Sequence, residues 1–320
     1  MWKKFFVLVV VVVLSFSLVG CNSELSEASE ELEENKLESE IIEGNKDVPY
    51  LEFIDSNGRK IVFEEAPKRI ISTAPNVTES LFALGAEDKL VGRTDYCNYP
   101  EEAASIDSIG TLTEANIEKI IELEPDVVIA ASFFKEENIK KLEALGVKVA
   151  VVISQENFEG VYENIRNIAL LANKEVKAEE IIKEMQEKVK YIKETVEPLE
   201  TKSVYYIIGH GESGDYTATG DTFIGKMLEI AGGRNVAKEA TGWKFSLEKL
   251  VEADPEVVIT ESDAPNMAGL KEANGYKDLT AIKTGKFYGV DKDMVSRMSP
   301  RLADGLLQIA KSIHPEAFEE

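Results

Sequence analysis

Two carboxylates stand at matching places in a repeated segment of the chain. Glu118 opens the segment EKIIELEPDVVI, and Glu248 opens EKLVEADPEVVI 130 positions later, with seven of the twelve positions identical. A symmetric pair of carboxylates suits two equivalent ion pairs, because arginine binds a carboxylate through two parallel hydrogen bonds. The alternative is that each glutamate only stabilises its own helix, because a carboxylate interacts favourably with the positive N-terminal end of the helix dipole, by about 0.3–1 kcal/mol. Spacing alone favours neither interpretation.

Aromatic and polar side chains gather in loops that follow predicted strands. Ligands of α/β proteins bind beyond the carboxyl ends of the strands, so we expect a ligand site between the two halves of the chain. Aromatic walls suit a large flat ligand, and the polar groups would fix its orientation. For each aromatic residue the alternative is packing in the core, which we expect for Tyr99. The candidates are Tyr96, Phe133 and Phe134 in the first half and His210, Tyr216, Trp243, Asp293 and Arg297 in the second.

The polar candidates each leave alternatives open. His210 lies between two glycines after a predicted strand, where imidazole either ligates a metal in the ligand or is simply a neutral loop residue. Arg297 can pair with an anionic ligand, and Asp293, four residues earlier, can instead hold that arginine in place. His314, near the end of the chain, is expected at the surface.

The N-terminus has the pattern of a targeting signal. Two lysines precede an almost wholly apolar run over residues 5–19, which is short for a membrane span. The run ends in Leu-Val-Gly-Cys, which resembles the bacterial lipobox, so Cys21 is the expected lipidation site. The alternatives are an ordinary signal or an anchor helix. We therefore expect signal residues 1–21 and a protein held by lipid at the outer face of the cell membrane.

Residues 22–47 have the composition of a disordered tether. They hold ten acidic residues, two lysines and no aromatic residue, so they bury too little apolar surface to fold. The formal net charge of −23 argues against nucleic acid as a partner, because phosphate binding needs a basic surface. Cys97 is the one cysteine after Cys21, so no disulfide forms within the processed chain, and we expect a buried thiol.

The rest of the chain predicts an α/β protein with two lobes. Each copy of the repeat has a polar N-cap, a short helix, a proline that stops it and a β-branched strand. Residues 48–173 are the predicted first lobe, and 199–320 are the second. Between them, residues 174–198 form the predicted linker helix, with apolar residues spaced by three and four along one face. Strands alternating with helices indicate mainly parallel sheets.

The chain resembles a known family over about residues 48–315. The landmarks are APKRIIS from Ala66, PNVTE from Pro75, Leu84-Gly85, DYCNYP from Asp95, EPDVVI from Glu124, Gly232-Gly233-Arg234-Asn235 and Ser299-Pro300-Arg301. Together they are similar to the helix-linked substrate-binding proteins of ABC importers that serve vitamin B12, ferric siderophores and haem. The resemblance implies two Rossmann-like lobes, a permease and its ATPase as partners, a monomer, and no cofactor or protein-bound metal.

The resemblance also assigns roles to residues. It implies that Glu118 and Glu248 dock onto arginines of the permease. Tyr96, Tyr216, Trp243, Asp293 and Arg297 resemble cleft positions of the B12-binding members. Where those members have tryptophan, this chain has Leu112 and Ala131, with Phe133 and Phe134 as possible replacements. The expected ligands are, in order, a cobalamin or other corrinoid, a ferric siderophore and haem.

Enzyme function is the weaker alternative. The motifs GxSxG, HExxH and the P-loop are absent, so we interpret the chain as a binding protein and not an enzyme. A macrocycle-modifying enzyme and a structural surface lipoprotein remain the other two classes. A helical linker resists bending, so we expect the lobes to move by only a few degrees on binding.

Overall fold

The computed structural model describes residues 49–211, 215–262 and 264–318. The predicted signal, the lipidation site Cys21 and the tether lie outside these residues. No helix within them is both long enough and apolar enough to cross a membrane.

Strands and helices alternate along the described chain. The strands are β1 (Leu51–Ile54), β2 (Lys60–Phe63), β3 (Ile70–Ser72), β4 (Leu90–Gly92), β5 (Val127–Ala130), β6 (Val149–Val151), β7 (Lys202–Gly209), β8 (Tyr216–Thr217), β9 (Gly233–Asn235), β10 (Val257–Glu261) and β11 (Phe287–Val290). The helices are α1 (Pro75–Ala83), α2 (Ile117–Glu122), α3 (Glu136–Ala144), α4 (Phe158–Ala172), α5 (Glu175–Val196), α6 (Phe223–Ile230), α7 (Leu247–Ala253), α8 (Ala264–Glu272), α9 (Thr280–Lys283), α10 (Lys292–Ser296) and α11 (Leu302–Ile313).

Two similar sheets lie on either side of α5 in the sequence. The first has the order β4-β3-β5-β6 and all its described strands are parallel. The second has the order β11-β10-β7-β8, with β9 on the first residues of β7, and β8 is its antiparallel strand. The series β4-β3-β5-β6 therefore corresponds to β9-β7-β10-β11. This is the predicted α/β fold with two lobes and mainly parallel sheets.

The repeated segment forms the same helix and strand in both lobes. It supplies α2 and β5 in the first lobe and α7 and β10 in the second. The predicted N-caps are confirmed: the Asn116 side chain accepts from the Lys119 N–H at 3.0 Å, and Ser246 accepts from the Lys249 N–H at 3.2 Å. Both strands pair with the central strand of their sheet.

The acid after each proline anchors that central strand. Asp126 Oδ2 accepts from the backbone N–H groups of Lys68 and Arg69, at 2.7 and 2.9 Å, just before β3. Glu256 Oε2 accepts from the N–H of Ser203 at 2.8 Å, within β7. This hydrogen bond from Ser203 holds the pKa of Glu256 below its ordinary value. The two lobes thus share an anchoring contact as well as a topology.

The long helix α5 packs against both lobes, on α4 before it and on α11 after it. Its predicted apolar stripe is buried, and Ile181 is buried beside it. One hydrophobic cluster joins this stripe to the inner faces of both sheets, with Ile129 from the first and Ile259 from the second. The outer faces pack in two separate clusters. The core is therefore continuous from one lobe to the other.

The hairpin of β1 and β2 forms as predicted, although its turn differs. A type I′ turn needs positive φ at both central residues, but only Gly58 has it, at 75°. The reason is Asp55, whose carboxylate accepts from the backbone N–H groups of Asn57 and Arg59 at 3.0 and 2.9 Å. Burial raises the pKa of Asp55, but the hydrogen bonds from Arg59 outweigh it and hold the pKa below its ordinary value.

Three single residues complete the comparison with the sequence. Cys97 is buried as expected, 3.3 Å from Thr94 Oγ1. His314 is 1% exposed and not at the surface, because it directly follows the buried face of α11 and lies with its Nε2 3.2 Å from the carbonyl oxygen of Gly232. Tyr99 is 44% exposed and not in the core.

Candidate functional site

A cavity of about 530 Å³ lies between the two lobes. Its first-lobe wall follows the carboxyl ends of β3, β5 and β6, which is where parallel sheets place ligands. Glu156 and Arg297 are the charged residues of a wall that is otherwise apolar or neutral. The lining residues are Ala74, Pro75, Asn76, Tyr96, Leu112, Ala131, Ser132, Phe133, Val152, Ile153, Ser154, Glu156, Asn164, Phe223, Ile224, Trp243, Val295, Ser296, Arg297 and Met298. The volume suits a ligand pocket.

Three exposed aromatic side chains form the mouth of the cavity. Tyr96 is 54% exposed and Phe133 is 65% exposed on the first lobe, and Trp243 is 39% exposed on the second. Trp243 has a φ of 66°, and its carbonyl accepts from the Thr217 N–H at 2.9 Å, which fixes the loop that presents it. Large apolar groups left in water on both sides of one opening indicate a surface that a flat ligand covers.

Glu79 joins the lobes beside the cavity and was missed by the sequence reading as a site residue. It lies on α1 and is 3% exposed. Its Oε1 accepts from Arg297 Nη1 at 2.7 Å and from Arg301 Nη2 at 2.9 Å. Its Oε2 accepts from Ser299 Oγ at 2.6 Å. One buried carboxylate of the first lobe is therefore bound by three side chains of the second.

Arg297 is both a wall of the cavity and a part of this junction. Besides Glu79, its Nη1 donates to Asn98 Oδ1 at 2.8 Å, and its Nη2 lies 2.8 Å from Asp293 Oδ2. The Arg297 side chain is only 13% exposed. Asp293 does not line the cavity and instead holds Arg297. The guanidinium is therefore largely occupied by the protein, and it contributes positive potential to the site more than free hydrogen-bond donors.

Arg301 completes the junction. Its guanidinium carbon lies 3.6 Å from the centre of the Tyr99 ring, which explains why that ring is not in the core. Burial lowers the pKa of Arg301, but the hydrogen bond and charge of Glu79 outweigh it and raise the pKa above its ordinary value. The two arginines face three carboxylates: Glu79 contacts both, Asp293 contacts Arg297, and Asp291 lies 4.0 Å from Arg301.

Asn164, on α4, was also missed by the sequence reading. It is 3% exposed, lines the cavity, and its Oδ1 has no hydrogen-bond partner in the described part of the chain. An unpaired buried polar atom costs about 1–3 kcal/mol, so it calls for an explanation. Glu79 and its partners Ser299 and Arg301 lie in two of the landmark segments, but nothing local pairs those segments. Asn164 gives no local signal, because its role depends on burial in the folded protein.

Several predicted site residues lie away from the cavity. Phe134 is 7% exposed and packs in the outer core of the first lobe, because it points away from Phe133 at the turn after β5. Tyr216 is in β8, with the Lys244 ammonium 5.8 Å from the centre of its ring. His210 has its ring centre 5.7 Å from that of Tyr276. None of these three lines the cavity.

The loop around His210 carries no cofactor geometry among the residues described. Residues 209–214 have the spacing GxGxxG after β7, but β8 follows them where a dinucleotide site needs a helix N-terminus. Within the described ranges, no three His, Cys, Asp or Glu side chains are arranged to hold a metal ion.

Glu118 and Glu248 occupy equivalent places in the two lobes. Each is exposed in the first turn of its helix, and neither has an ion-pair partner among the described residues. A helix that leads into a parallel strand runs back across the sheet, so its first turn lies at the carboxyl edge of the strands. Both carboxylates therefore lie at the same edge of their sheets as the cavity.

The comparisons with known proteins agree with this architecture. The model of the periplasmic binding protein family matches residues 70–294. The uncharacterized ABC transporter substrate-binding lipoprotein YvrC of Bacillus subtilis is 33% identical over 273 residues, which are 83% of this chain and 86% of that protein. A cobalamin-binding protein of Halobacterium salinarum is 27% identical over 81% of this chain and 73% of that protein.

A solved structure shows the same fold. The structure of a possible iron-binding, periplasmic solute-binding protein of Staphylococcus epidermidis has a TM-score of 0.67 and 27% identity, and the match covers 78% of this chain and 100% of that one. The match to the family model spans both sheets, and the similarity to YvrC extends over most of both chains. The resemblance inferred from the sequence landmarks is thereby confirmed. The chain belongs to the periplasmic binding protein family.

Proposed function

We propose that this chain is the substrate-binding component of an ABC importer, which captures a cobalamin or related corrinoid between its lobes and delivers it to a permease. The observation that carries the proposal is the cavity between the lobes, with Tyr96, Phe133 and Trp243 exposed around it. Membership of a family of binding proteins makes catalysis the poorer explanation of this site.

The shape and lining of the cavity support a large flat ligand. Cobalamin presents a wide ring that aromatic walls can cover and peripheral carboxamides that neutral polar groups can bind. The Halobacterium salinarum relative is a cobalamin-binding protein, which supports the same ligand class. Leu112 and Ala131 line the cavity where B12-binding members are expected to have tryptophan, and of the two nearby phenylalanines only Phe133 supplies an aromatic ring.

A ferric complex is the second candidate. Tyr96 presents a phenol at the cavity, and tyrosine can ligate haem iron. The Staphylococcus epidermidis structure is described as possibly iron-binding. Arg297 favours an anionic ligand only weakly, because Glu79 and Asp293 already neutralise it. The corrinoid is therefore preferred to an anionic siderophore or haem.

The proposed place of action is the outer face of the cell membrane. Lipidation at Cys21 would hold the protein there, with the acidic segment 22–47 as the tether. We propose that it acts as a monomer. YvrC, which is similar over most of this chain, is a lipoprotein.

Two exposed patches support docking onto a two-fold permease through Glu118 and Glu248. Each glutamate is followed three residues later by an exposed β-branched side chain, Ile121 at 39% and Val251 at 44%. Residues three apart on a helix share one face, so each lobe presents a carboxylate beside an apolar group. The repetition of this pair in both lobes, at the cavity edge, fits a symmetric partner.

Equilibrium titration of the purified protein with cyanocobalamin, hemin and a ferric hydroxamate siderophore tests the ligand. Trp243 is the one tryptophan among the described residues. A ligand that binds in the cavity should therefore quench its fluorescence, and the quenching should saturate as the ligand concentration rises. Phe133→Ala should weaken binding of the true ligand by about tenfold or more, and Leu145→Ala, equally exposed but away from the cavity, should not. No saturable response to any of the three would refute the proposal.

A further inference from the structure

Asn164 lines the cavity, and its amide oxygen has no partner in the part of the chain that the structure describes. Asn164 lies in the middle of α4, with only 3% of its surface exposed. Its Oδ1 is buried and has no hydrogen-bond partner among the described residues. Buried polar groups in native proteins are almost always hydrogen-bonded, so such a group at a binding site is best explained by a partner that the ligand supplies.

The surroundings show that the amide is not a remnant of a protein network. Phe223, Ile224 and Met298, which line the same cavity, offer no polar side-chain atoms. Arg297, the guanidinium of the cavity wall, is already bound by Glu79, Asn98 and Asp293. Asn235, a buried asparagine of β9, has both ends of its amide bonded, to the Ala218 carbonyl and the Ala237 N–H. Asn164 therefore differs from Asn235 in leaving its amide oxygen unpaired at the wall of the cavity.

We propose that Asn164 is a ligand-binding, specificity-determining residue that pairs with a primary carboxamide at the edge of the bound molecule. This inference rests on the proposed function of the cavity. An asparagine side chain offers one acceptor and two N–H donors, and two carboxamides can satisfy each other through a reciprocal pair of hydrogen bonds. Neither orientation of the Asn164 amide changes this match. A carboxylate, which only accepts, can satisfy the Nδ2 group but leaves Oδ1 unpaired.

The amide therefore selects between two ligand chemistries that share the same flat shape. Corrinoids carry peripheral carboxamides, whereas the polar side chains of haem are two propionates, which end in carboxylates. A site with a buried polar group discriminates strongly against a ligand that leaves this group unpaired. Tyr96, Phe133 and Trp243 cannot distinguish a corrinoid from haem, because aromatic side chains can pack against either flat ring. The hydrogen bonds of Asn164 would make that distinction.

Two substitutions of Asn164 test the proposal, with cyanocobalamin and hemin as probes. Asn164→Leu should weaken cyanocobalamin binding by about tenfold or more, because the carboxamide of the ligand loses its partner. Asn164→Asp keeps an acceptor, so at pH 7.5 it should cost cyanocobalamin less than Asn164→Leu does, while it should repel the carboxylates of hemin. Asn138→Leu, a buried asparagine on α3 outside the cavity, is the control and should leave affinity unchanged.

Thermal unfolding of the unliganded protein supplies a readout that a structural asparagine would not give. Asn164→Leu removes an unpaired polar group, so it should raise the Tm while it weakens binding; a lowered Tm would assign Asn164 to the fold and overturn the proposal. Unchanged cyanocobalamin affinity in Asn164→Leu, with affinity lost in Trp243→Ala, would overturn the role of Asn164 and leave the proposed function intact. Failure of the wild-type protein to bind either probe would remove the carboxamide inference together with the corrinoid assignment.

Discussion

At the scale of single residues, Glu79 is a buried carboxylate that joins the two lobes through several polar contacts. This carboxylate is 3% exposed and receives hydrogen bonds from Arg297, Ser299 and Arg301, all on the other lobe. Burying a carboxylate is costly unless charged partners and hydrogen bonds compensate it, and here both are present. Because Arg297 also lines the cavity, the junction between the lobes and the ligand site share a side chain.

Replacing Glu79 by glutamine should destabilise the protein by about 3–5 kcal/mol, because the buried guanidinium groups of Arg297 and Arg301 lose the carboxylate that they share. Urea unfolding followed by circular dichroism measures this change. Glu87→Gln, an exposed glutamate close by, should change stability by no more than about 0.5 kcal/mol. Equal stability of the two variants would show that the Glu79 junction does not hold the lobes together.

Local sequence rules predict some of the contacts in this structure, but they do not predict those of Glu79. The caps at Asn116 and Ser246 and the helix breaks at the prolines follow from local rules, and the structure has them. The partners of Glu79 lie 218–222 residues away in the chain, so no local sequence pattern predicts that they bind it. Phe133 and Phe134 are neighbours of identical type, and only the turn after β5 decides which one faces the cavity.

At the scale of elements, the duplicated helices α2 and α7 carry the proposed docking surfaces. Changing Glu118 and Glu248 together to lysine should abolish ligand uptake by cells, because the charge at both contacts is reversed, while ligand affinity of the purified protein stays unchanged. Glu184→Lys with Glu200→Lys, two exposed glutamates outside α2 and α7, is the matched control for the change in charge and should transport nearly normally. Normal uptake by the Glu118 and Glu248 variant would dismiss these helices as the docking sites.

The β1–β2 hairpin supplies a pH-dependent part of the stability. The pKa of Asp55 is lowered in the folded protein, so its contribution is complete above the unfolded pKa of about 3.9 and is lost as the pH falls through the folded value. We expect Asp55→Asn to be less stable at pH 7, by about 1–3 kcal/mol, and to lose less stability than the wild type between pH 5 and pH 3.

Urea midpoints measured from pH 7 to pH 3 test this prediction. Asp88→Asn, an exposed aspartate, should follow the wild-type curve. If the wild type and Asp55→Asn showed parallel curves over the acid range, the hairpin carboxylate would not be the titrating group.

At the scale of the whole molecule, the two lobes are coupled by more than a connecting segment. Residues from Pro49 onward cluster as one compact unit, and a single hydrophobic cluster spans α5 and the inner faces of both sheets. Phe158 of the first lobe meets Phe223 of the second edge to face, with ring centres 5.4 Å apart. A large movement of one lobe away from the other would disrupt this shared core. The structure therefore favours only small changes in the angle between the lobes.

Small-angle X-ray scattering with and without a saturating ligand should therefore show a change in radius of gyration below about 0.5 Å, because closure by helix-linked lobes is a matter of a few degrees. The Glu79→Gln variant should show a larger change, since it lacks the polar junction. A contraction of several ångströms in the wild-type protein would mean that the lobes move as separate bodies.

The most direct measurement is a crystal structure of the protein grown with cyanocobalamin. Our account predicts the corrin ring between Trp243 and the pair Tyr96 and Phe133, with one of its carboxamides within hydrogen-bond distance of Asn164 and the bonds of Glu79 unbroken. A bound corrinoid elsewhere on the surface, with the cavity between the lobes unfilled, would contradict it.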